Sequence, residues 1–198
     1  MDFDFTEEQK LIKKTSREFA EIELMPDVVK RDEEKIWPKE AVVKMAELGF
    51  LGIMVDPRWH GGGMDTVSYA IAMEEISRID ASAGVVMSVN NSLVCYLLEN
   101  YASNFLKNKY LKQLAMGKKI GAFSLSEPQS GSDASNMNTF AKFNGTSYIL
   151  NGTKNWVTNG INSDYIIVFA LTEKGIGHKG ISCFIVEKGW DNFNMGKP

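Results

Sequence analysis

A hydroxyl-rich stretch near the middle of the chain is the first place where residue types and spacing suggest chemistry. It runs Phe123-Ser-Leu-Ser-Glu-Pro-Gln-Ser-Gly-Ser-Asp133. Pro128 biases Glu127 toward extended geometry and removes a backbone donor, while Gly131 permits a turn. Because no lysine or arginine occurs between Ile120 and Ala141, an anion held here would be bound by backbone N–H groups and hydroxyls. The stretch therefore predicts an anion-binding loop.

A second group, Trp156-Val157-Thr158, places an aromatic ring beside a hydroxyl. Together with Leu125 and Ser126, it offers what a ligand with a pyrophosphate and a flat conjugated ring would use. Hydroxyls and backbone N–H groups bind ring heteroatoms, and an indole covers a ring face or edge. From residue types alone the alternative stays open that Trp156 belongs to the core and that the serine-rich loop is only a turn.

The composition argues against several other classes of protein. The chain has 198 residues and a net charge of −3, which gives no general reason to expect nucleic acid or an anionic membrane as partner. Cys95 and Cys183, both in apolar runs, define neither a disulfide framework nor a metal site and are predicted to be core residues. The N-terminal sequence lacks signal-peptide features, and no uninterrupted apolar stretch reaches bilayer length. We therefore expect a reducing, soluble compartment and no membrane span.

The first 118 residues read as a helical domain. Thr6 and Gln9 have the spacing of a capping box, Pro26 should limit or kink the first helix, and Gly49 should end the second. A helix over residues 83–101 is apolar around most of its circumference, which is typical of the centre of a bundle. Polar residues interrupt it at mid-length and need buried partners or a cavity; these are Ser88, Asn90, Asn91 and Ser92.

Two shorter stretches of the helical half are less regular. Residues 50–55 form an apolar run whose periodicity does not separate a strand from a buried connection. The run Gly61-Gly62-Gly63 lacks the lysine and hydroxyl residue of a phosphate loop, so a flexible loop is predicted.

Residues 119–198 read as a β domain. Strands are predicted at 120–126, 140–143, 147–150, 154–158, 165–171 and 181–186, and Asn144-Gly145 is a strong hairpin signal. Helical and β segments do not alternate, which argues against a doubly wound parallel sheet. The expected fold class is α+β, an all-helical domain followed by an antiparallel, barrel-like β domain, ending at Gly196-Lys197-Pro198 as a fragment would.

The two central motifs resemble those of the acyl-CoA dehydrogenase family. Phe123 to Asp133 looks like the family's strand, [ST]-E-P and G-[ST]-D pattern, and Asn151 to Asn159 resembles N-G-x-K-x-W-[IV]-T-N. Ser82 to Leu93 is similar to the central helix of the short-chain, butyryl-CoA type. Further matches in order are Asp2 to Gln9, Gly61 to Thr66 and Lys179 to Val186. The resemblance covers essentially the whole chain.

This resemblance implies a reaction and its participants. The family removes hydrogen from the α and β carbons of an acyl-CoA in fatty acid β-oxidation: a base takes the α-proton, a hydride passes to FAD, and a trans-2-enoyl-CoA forms. Electrons then pass to an electron-transferring flavoprotein, and the full-length enzyme is expected to form tetramers. The location would be the cytoplasm, or the mitochondrial matrix in a eukaryote. The family's C-terminal helical bundle is absent from this sequence.

Carried over residue by residue, the resemblance implies a set of FAD-binding positions. They are Phe123, Ser124, Leu125, Ser126, Gly131, Ser132, Trp156, Val157 and Thr158. Leu125 and Ser126 would face the pyrimidine side of the ring, Ser132 would meet the pyrophosphate and the CoA of the substrate, and Thr158 would bond toward N5. Trp156 would pack on the ring opposite the substrate.

No catalytic residue is expected within this sequence. Glu127 precedes Pro128 in the first motif and is predicted to be structural, because acid–base catalysis requires reach to the reacting atoms. Asp133 is expected to bond its own backbone in an Asx turn. The family's catalytic glutamate lies in the C-terminal bundle, so the 198-residue chain alone is expected to be inactive. Two alternatives remain open at this point: an acyl-CoA oxidase or flavin monooxygenase relative, and a non-catalytic flavin- or CoA-binding module.

Overall fold

A computed structural model of the chain describes residues 4–196. The chain divides into two compact units at the boundary between Lys119 and Ile120. Asp2, Lys197 and Pro198, which enter the sequence predictions above, lie outside the described residues.

The N-terminal unit is helical. Its α-helices are α1 (Glu7–Phe19), α2 (Val28–Glu34), α3 (Lys39–Glu47), α4 (Thr66–Ile79), α5 (Ala81–Ser88), α6 (Tyr96–Tyr101), α7 (Asn104–Leu106) and α8 (Lys112–Ala115). Segments of π-helix join some of these into longer rods, at Ala20–Leu24, Val89–Cys95 and Lys107–Leu111. Short 3₁₀ turns lie at Met25–Asp27, Phe50–Gly52 and Pro57–Trp59. Large side chains that are fully buried in this unit include Leu24, Met45, Phe50, Leu51, Ile76 and Met87.

The local signals at the helix ends act as predicted. The Thr6 hydroxyl accepts a hydrogen bond of 3.2 Å from the Gln9 N–H, and the Gln9 side chain accepts from the Thr6 N–H at 3.1 Å. Pro26 lies in the 3₁₀ turn that follows α1 and the first π segment, so the rod is distorted there. Gly49 has a φ of 75°, the left-handed geometry that ends a helix. Each of these features follows from a few adjacent residues.

The rod Ala81–Tyr101 is the core helix of this unit. Asn91 lies in its π segment, where its amide accepts from Ile53 N–H at 2.9 Å and donates to Phe50 C=O at 2.8 Å. Asn90 donates to Leu51 C=O at 2.8 Å. Both amides are buried, so the polar interruption has the backbone partners that the sequence requires.

That same rod is the one described helix whose length and composition would allow it to cross a membrane. Its 21 residues include a window with a mean hydropathy of 1.4, although Ser88, Asn90, Asn91 and Ser92 interrupt its apolar residues. More than half of this window is buried within the protein. A buried window of this kind is also what the core helix of a bundle gives, so it is weak support for a membrane span.

The run of glycines at Gly61-Gly62-Gly63 is packed rather than free, which corrects the prediction of a flexible loop. The N–H groups of Gly62 and Gly63 donate to Gly52 C=O and Val55 C=O, each at 2.9 Å. A Cβ on Gly61 would lie 2.1 Å from Val55 O. The glycines therefore allow close approach of two backbone segments, and the apolar run beneath them is a buried connection rather than a strand.

The C-terminal unit is a five-stranded sheet. Its strands are β1 (Gly121–Ser124), β2 (Phe140–Phe143), β3 (Tyr148–Asn151), β4 (Tyr165–Leu171) and β5 (Ile181–Glu187). Short 3₁₀ turns lie at Ala134–Asn136 and Gly177–Gly180. The strand order is β1-β4-β2-β3, and β5 pairs with β4.

The pairing of the strands is mixed, so the expected antiparallel barrel is only partly correct. β2 with β3 and β4 with β5 are antiparallel, whereas β1 and β2 each run parallel to β4. Within residues 4–196 the sheet does not close on itself. Turn signals in the sequence identify strands that are joined by short links. About forty residues separate β1 from β4, so no local signal could show that the two strands run parallel.

The core of this unit lies on the sheet face under β4. Ala122, Ile166, Val168 and Val186 are buried there, with Leu150, Val157, Phe193 and Met195 packed around them. The predicted turn at Asn144-Gly145 is a four-residue loop in which Asn144 N–H donates to Ser147 C=O at 3.0 Å. Cys95 is buried as predicted, but Cys183 on β5 is exposed.

Candidate functional site

The first motif begins on β1 and leaves the sheet at its end. Phe123 and Ser124 are the last residues of this strand and stand opposite Ile167 and Val168 of β4. Ser124 is buried, and the Phe123 ring packs against Phe169 with 5.1 Å between centroids. β1 therefore anchors the motif in the sheet, and Leu125 and Ser126, both half-buried, emerge from its end.

The chain then reverses in a tight turn around Pro128. Glu127 N–H donates to Ser130 C=O at 2.8 Å, and Ser130 N–H donates to Glu127 C=O at 3.0 Å. Pro128 occupies the second position of this turn, where its fixed φ is favourable. The Ser130 hydroxyl donates to Asp133 C=O at 2.7 Å and closes the next part of the loop.

Gly131, Ser132 and Asp133 lie on the exposed side of this turn. Nothing lies within 4 Å of the position that a Cβ on Gly131 would take, so the backbone is open on that side. The Asp133 carboxylate accepts a hydrogen bond from the Ser135 hydroxyl rather than from its own backbone, which corrects the predicted Asx turn. Ser132 is thus placed on an accessible loop free of cationic side chains.

Glu127 is a buried structural carboxylate. It accepts hydrogen bonds from Lys154 Nζ at 2.8 Å, Thr139 N–H at 3.0 Å, Asn138 N–H at 2.6 Å and Gln129 Nε2 at 2.7 Å. Burial opposes its ionisation, but the hydrogen bonds, first that of Lys154, outweigh burial and lower its pKa to about 2. Four hydrogen bonds hold this carboxylate, and they connect the turn at Pro128 to Asn138, Thr139 and Lys154. This arrangement agrees with the structural role predicted for Glu127.

Lys154 and Asn155 join the second motif to the first. The Lys154 ammonium donates to Leu125 C=O at 2.9 Å as well as to Glu127, and its side chain is only 9% exposed. Asn155 N–H donates to Ser126 C=O at 2.9 Å. These contacts place the residues that follow Asn155 next to the end of β1, so the fold brings the two motifs together.

Trp156 lies in an irregular segment, not in the strand predicted over residues 154–158. Its φ is 58°, a left-handed geometry that is rare for a bulky residue and costs about 1–2 kcal/mol. Its side chain is 91% exposed, so it does not belong to the core of this unit. A strained, exposed indole next to a hydroxyl-rich loop is the arrangement expected of a ligand-binding residue.

The residues after Trp156 return the chain to the sheet. Val157 packs against the buried cluster under β4, and Thr158, half-buried, begins a turn. Asn159 has a φ of 63°, and its amide donates to Gly121 C=O at 3.1 Å. Trp156, Val157 and Thr158 are thus held between two anchors, Lys154 at one end and Asn159 at the other.

Sequence reasoning missed three residues of this site: Lys154, Thr139 and Asn159. Lys154 carried a signal, because it is the lysine of the second motif and a lysine among strand residues needs a buried partner when it does not reach solvent. Asn159 also carried a signal, as the last residue of that motif, whereas Thr139 carried none, since its role comes from contacts across the unit. Asn159 Oδ1 and Thr139 Oγ1 are buried with no partner among the described residues.

The order of the two units and the two joined motifs define a class of protein. Residues 6–118 match the family model for the acyl-CoA dehydrogenase N-terminal domain, and residues 122–198 match that for the middle domain. The chain therefore belongs to the acyl-CoA dehydrogenase family.

Within that family the chain is similar to short-chain members. It is 42% identical over 197 residues to the short-chain specific acyl-CoA dehydrogenase of Clostridium acetobutylicum, covering 100% of this chain and 52% of the relative. The structure of butyryl-CoA dehydrogenase from Megasphaera elsdenii has a TM-score of 0.95 and 38% identity, covering 100% of this chain and 52% of that one. The chain spans about half the length of the curated relatives it matches.

The chain is also similar to two solved structures whose names refer to flavin proteins. A chain in the structure described for the electron transferring flavoprotein of Acidaminococcus fermentans has a TM-score of 0.97 and 44% identity, covering 100% of this chain and 52% of that one. The FAD complex of PigA has a TM-score of 0.93 and 31% identity, with the same coverage of 100% and 52%.

Proposed function

We propose that this chain supplies the helical and middle domains of an FAD-dependent dehydrogenase that converts short-chain acyl-CoA to trans-2-enoyl-CoA. The observation that carries this proposal is the hydrogen bond from Lys154 to Leu125 C=O. It joins the loop after β1 to the segment Trp156-Val157-Thr158, in a chain whose fold and sequence match the family throughout. Short-chain specificity rests on the similarity to the short-chain and butyryl-CoA relatives.

The residues present fit FAD. A flat ring needs an apolar surface, which the exposed indole of Trp156 offers. A pyrophosphate needs donors, which the accessible loop at Gly131 and Ser132 offers through backbone N–H groups and a hydroxyl. Support from the relatives comes from the FAD complex of PigA, which has the same fold.

Each residue of the site then has a role. Leu125 and Ser126 bind the pyrimidine side of the ring, Thr158 bonds toward N5, and Ser132 binds the pyrophosphate and the CoA moiety of the substrate. Phe123 and Ser124 at the end of β1, with Val157 packed against the buried cluster, complete the FAD-binding positions. FAD itself, when bound, accepts the hydride that leaves the β-carbon of the acyl group. The residues of this chain orient it, because positioning and polarisation are what the protein contributes.

The base that takes the α-proton is not Glu127. That carboxylate is buried and already holds a lysine and two backbone N–H groups, and its pKa of about 2 makes it a poor proton acceptor at neutral pH. We infer that the base comes from a C-terminal region of the intact protein. The chain of 198 residues is expected to be inactive by itself for this reason.

The remaining participants are inferred from the relatives. Electrons leave through an electron-transferring flavoprotein, which the match to the Acidaminococcus fermentans structure supports. The family resemblance, rather than any named relative, implies that the intact protein forms tetramers built from dimers. Its location is the cytoplasm in a bacterium and the mitochondrial matrix in a eukaryote, and the second is supported by mammalian relatives that are mitochondrial by name.

A single anaerobic titration tests the proposal. The protein translated from the full reading frame should purify with flavin absorbance, and this absorbance should bleach on addition of butyryl-CoA without oxygen. A protein that purifies without flavin and does not take up added FAD would contradict the proposal. Rapid reaction of the reduced protein with oxygen would instead favour an acyl-CoA oxidase or monooxygenase.

A further inference from the structure

The Lys154 ammonium contacts a peptide group that the proposed function places against the cofactor. Its Nζ lies 2.9 Å from the carbonyl oxygen of Leu125. That carbonyl and the Ser126 N–H belong to one peptide unit, so whatever polarises one changes the other. The Lys154 side chain is 9% exposed, and a charge that is shielded from water acts more strongly on its neighbours.

We propose that Lys154 is a positioning residue that strengthens the Ser126 N–H as a hydrogen-bond donor to the flavin and thereby raises the reduction potential of the bound FAD. This inference rests on the proposed function, in which Ser126 faces the pyrimidine side of the ring. It extends that proposal, because Lys154 reaches the cofactor through a backbone peptide.

The physical argument is cooperative polarisation. A cation bonded to an amide oxygen draws electron density from the nitrogen and makes the N–H a better donor, as in chains of hydrogen bonds. Reduction adds negative charge to the flavin ring, so a stronger donor stabilises the reduced state more than the oxidised one. Hydrogen bonds to the ring are a recognised means by which a protein adjusts flavin electronics.

Glu127 fixes the lysine without fully cancelling its effect. The carboxylate lies 2.8 Å from Lys154 Nζ, yet it also accepts hydrogen bonds from Asn138 N–H, Thr139 N–H and Gln129 Nε2. Its negative charge is therefore shared among four donors, whereas the polarising bond to Leu125 is made by the ammonium alone. Asn155 N–H donates to Ser126 C=O at 2.9 Å and so polarises the following peptide unit in the same way.

The test is the midpoint potential of FAD bound to the full-length protein, measured by spectroelectrochemical titration. Lys154→Met removes the charge at nearly constant length and should shift the potential to more negative values, with about tenfold weaker FAD binding. Lys154→Arg keeps a cation at the same place, so its midpoint potential should stay close to that of the wild type. Lys142→Met, which removes an exposed lysine from β2, is the matched control and should leave the potential unchanged.

A double variant separates polarisation from folding. Lys154→Met alone leaves the buried Glu127 carboxylate without its cation, which can unfold the unit. Lys154→Met with Glu127→Gln removes both charges, and its bound FAD should still show the negative shift. If neither variant folds, the pair serves stability and the inference is overturned.

The inference and the proposed function fail differently. If the wild type binds FAD but the potential is unchanged in Lys154→Met and in the double variant, the inference alone is overturned. A wild-type protein that binds no FAD would overturn the proposed function and the inference with it.

Discussion

Arg17 on α1 holds the carboxylate of Glu75 on α4 through two hydrogen bonds, from Nε and Nη2, each 2.9 Å long. The Glu75 side chain is 2% exposed. Its pKa is lowered, first by the hydrogen bond from Arg17, against the opposing effect of burial. A bidentate pair of this kind fixes the position of one helix against the other, and it ties the capped first helix to the helical core.

Loss of this pair should destabilise the protein. Arg17→Ala is expected to lower the free energy of unfolding by about 2 kcal/mol, because a buried carboxylate loses its main partner while weaker contacts from Lys13 and Arg78 remain. Lys14→Ala is the matched control, since Lys14 and Glu18 are exposed and 3.9 Å apart, and such pairs contribute about 0–1 kcal/mol. Urea denaturation measures both; equal losses would contradict the prediction.

Glu127 should make the protein sensitive to acid. Its pKa is about 2 in the folded state, against an ordinary value of 4.5. Because the folded value is depressed, the carboxylate stabilises the fold above pH 4.5, and this contribution is lost as the pH falls toward 2. A depression of this size corresponds to about 3 kcal/mol.

Acid denaturation of Glu127→Gln tests that expectation. The variant should be less stable than the wild type at neutral pH, and the difference should shrink as the pH falls through the carboxylate range. Glu173→Gln replaces an exposed glutamate of the same unit and should follow the wild type at every pH. A difference between Glu127→Gln and the wild type that stays constant with pH would contradict the assignment.

Trp156→Ala should separate binding from stability. Because the indole is 91% exposed, its removal should change the free energy of unfolding by no more than about 0.5 kcal/mol, while FAD is retained less well. The flavin-to-protein ratio after gel filtration and a urea titration measure the two effects. Trp190→Ala, at a tryptophan that is 51% exposed outside both motifs, should retain FAD. Undiminished flavin content in Trp156→Ala would remove Trp156 from the site.

Thr158→Val should slow reduction of the flavin by substrate while leaving stability nearly intact, because the change removes a hydroxyl at nearly constant volume. Thr158→Ser keeps the hydroxyl and is the matched control. Stopped-flow absorbance with butyryl-CoA measures the rate in each variant. A rate in Thr158→Val equal to that of the wild type would refute the role of this hydroxyl.

Much of the fold was predictable from short stretches of sequence. The capping box of Thr6 and Gln9, the left-handed Gly49 and the strand at Tyr165–Leu171 all depend on neighbouring residues or on local apolar patterns. The segment at Trp156 was predicted as a strand because its residues favour strands, but contacts of Lys154 and Asn155 with the end of β1 hold it in another geometry. Tertiary hydrogen bonds here outweigh local propensity.

The sequence by itself determined the α+β class, the two motifs and, through them, the family resemblance, because these depend on residue types at fixed spacing. Only the tertiary structure decided that β1 runs parallel to β4, that Trp156 is exposed with left-handed backbone, and that Lys154 joins the two motifs. Each of these depends on contacts between residues far apart in the chain. Such contacts form only when the whole unit packs, so no local pattern records them.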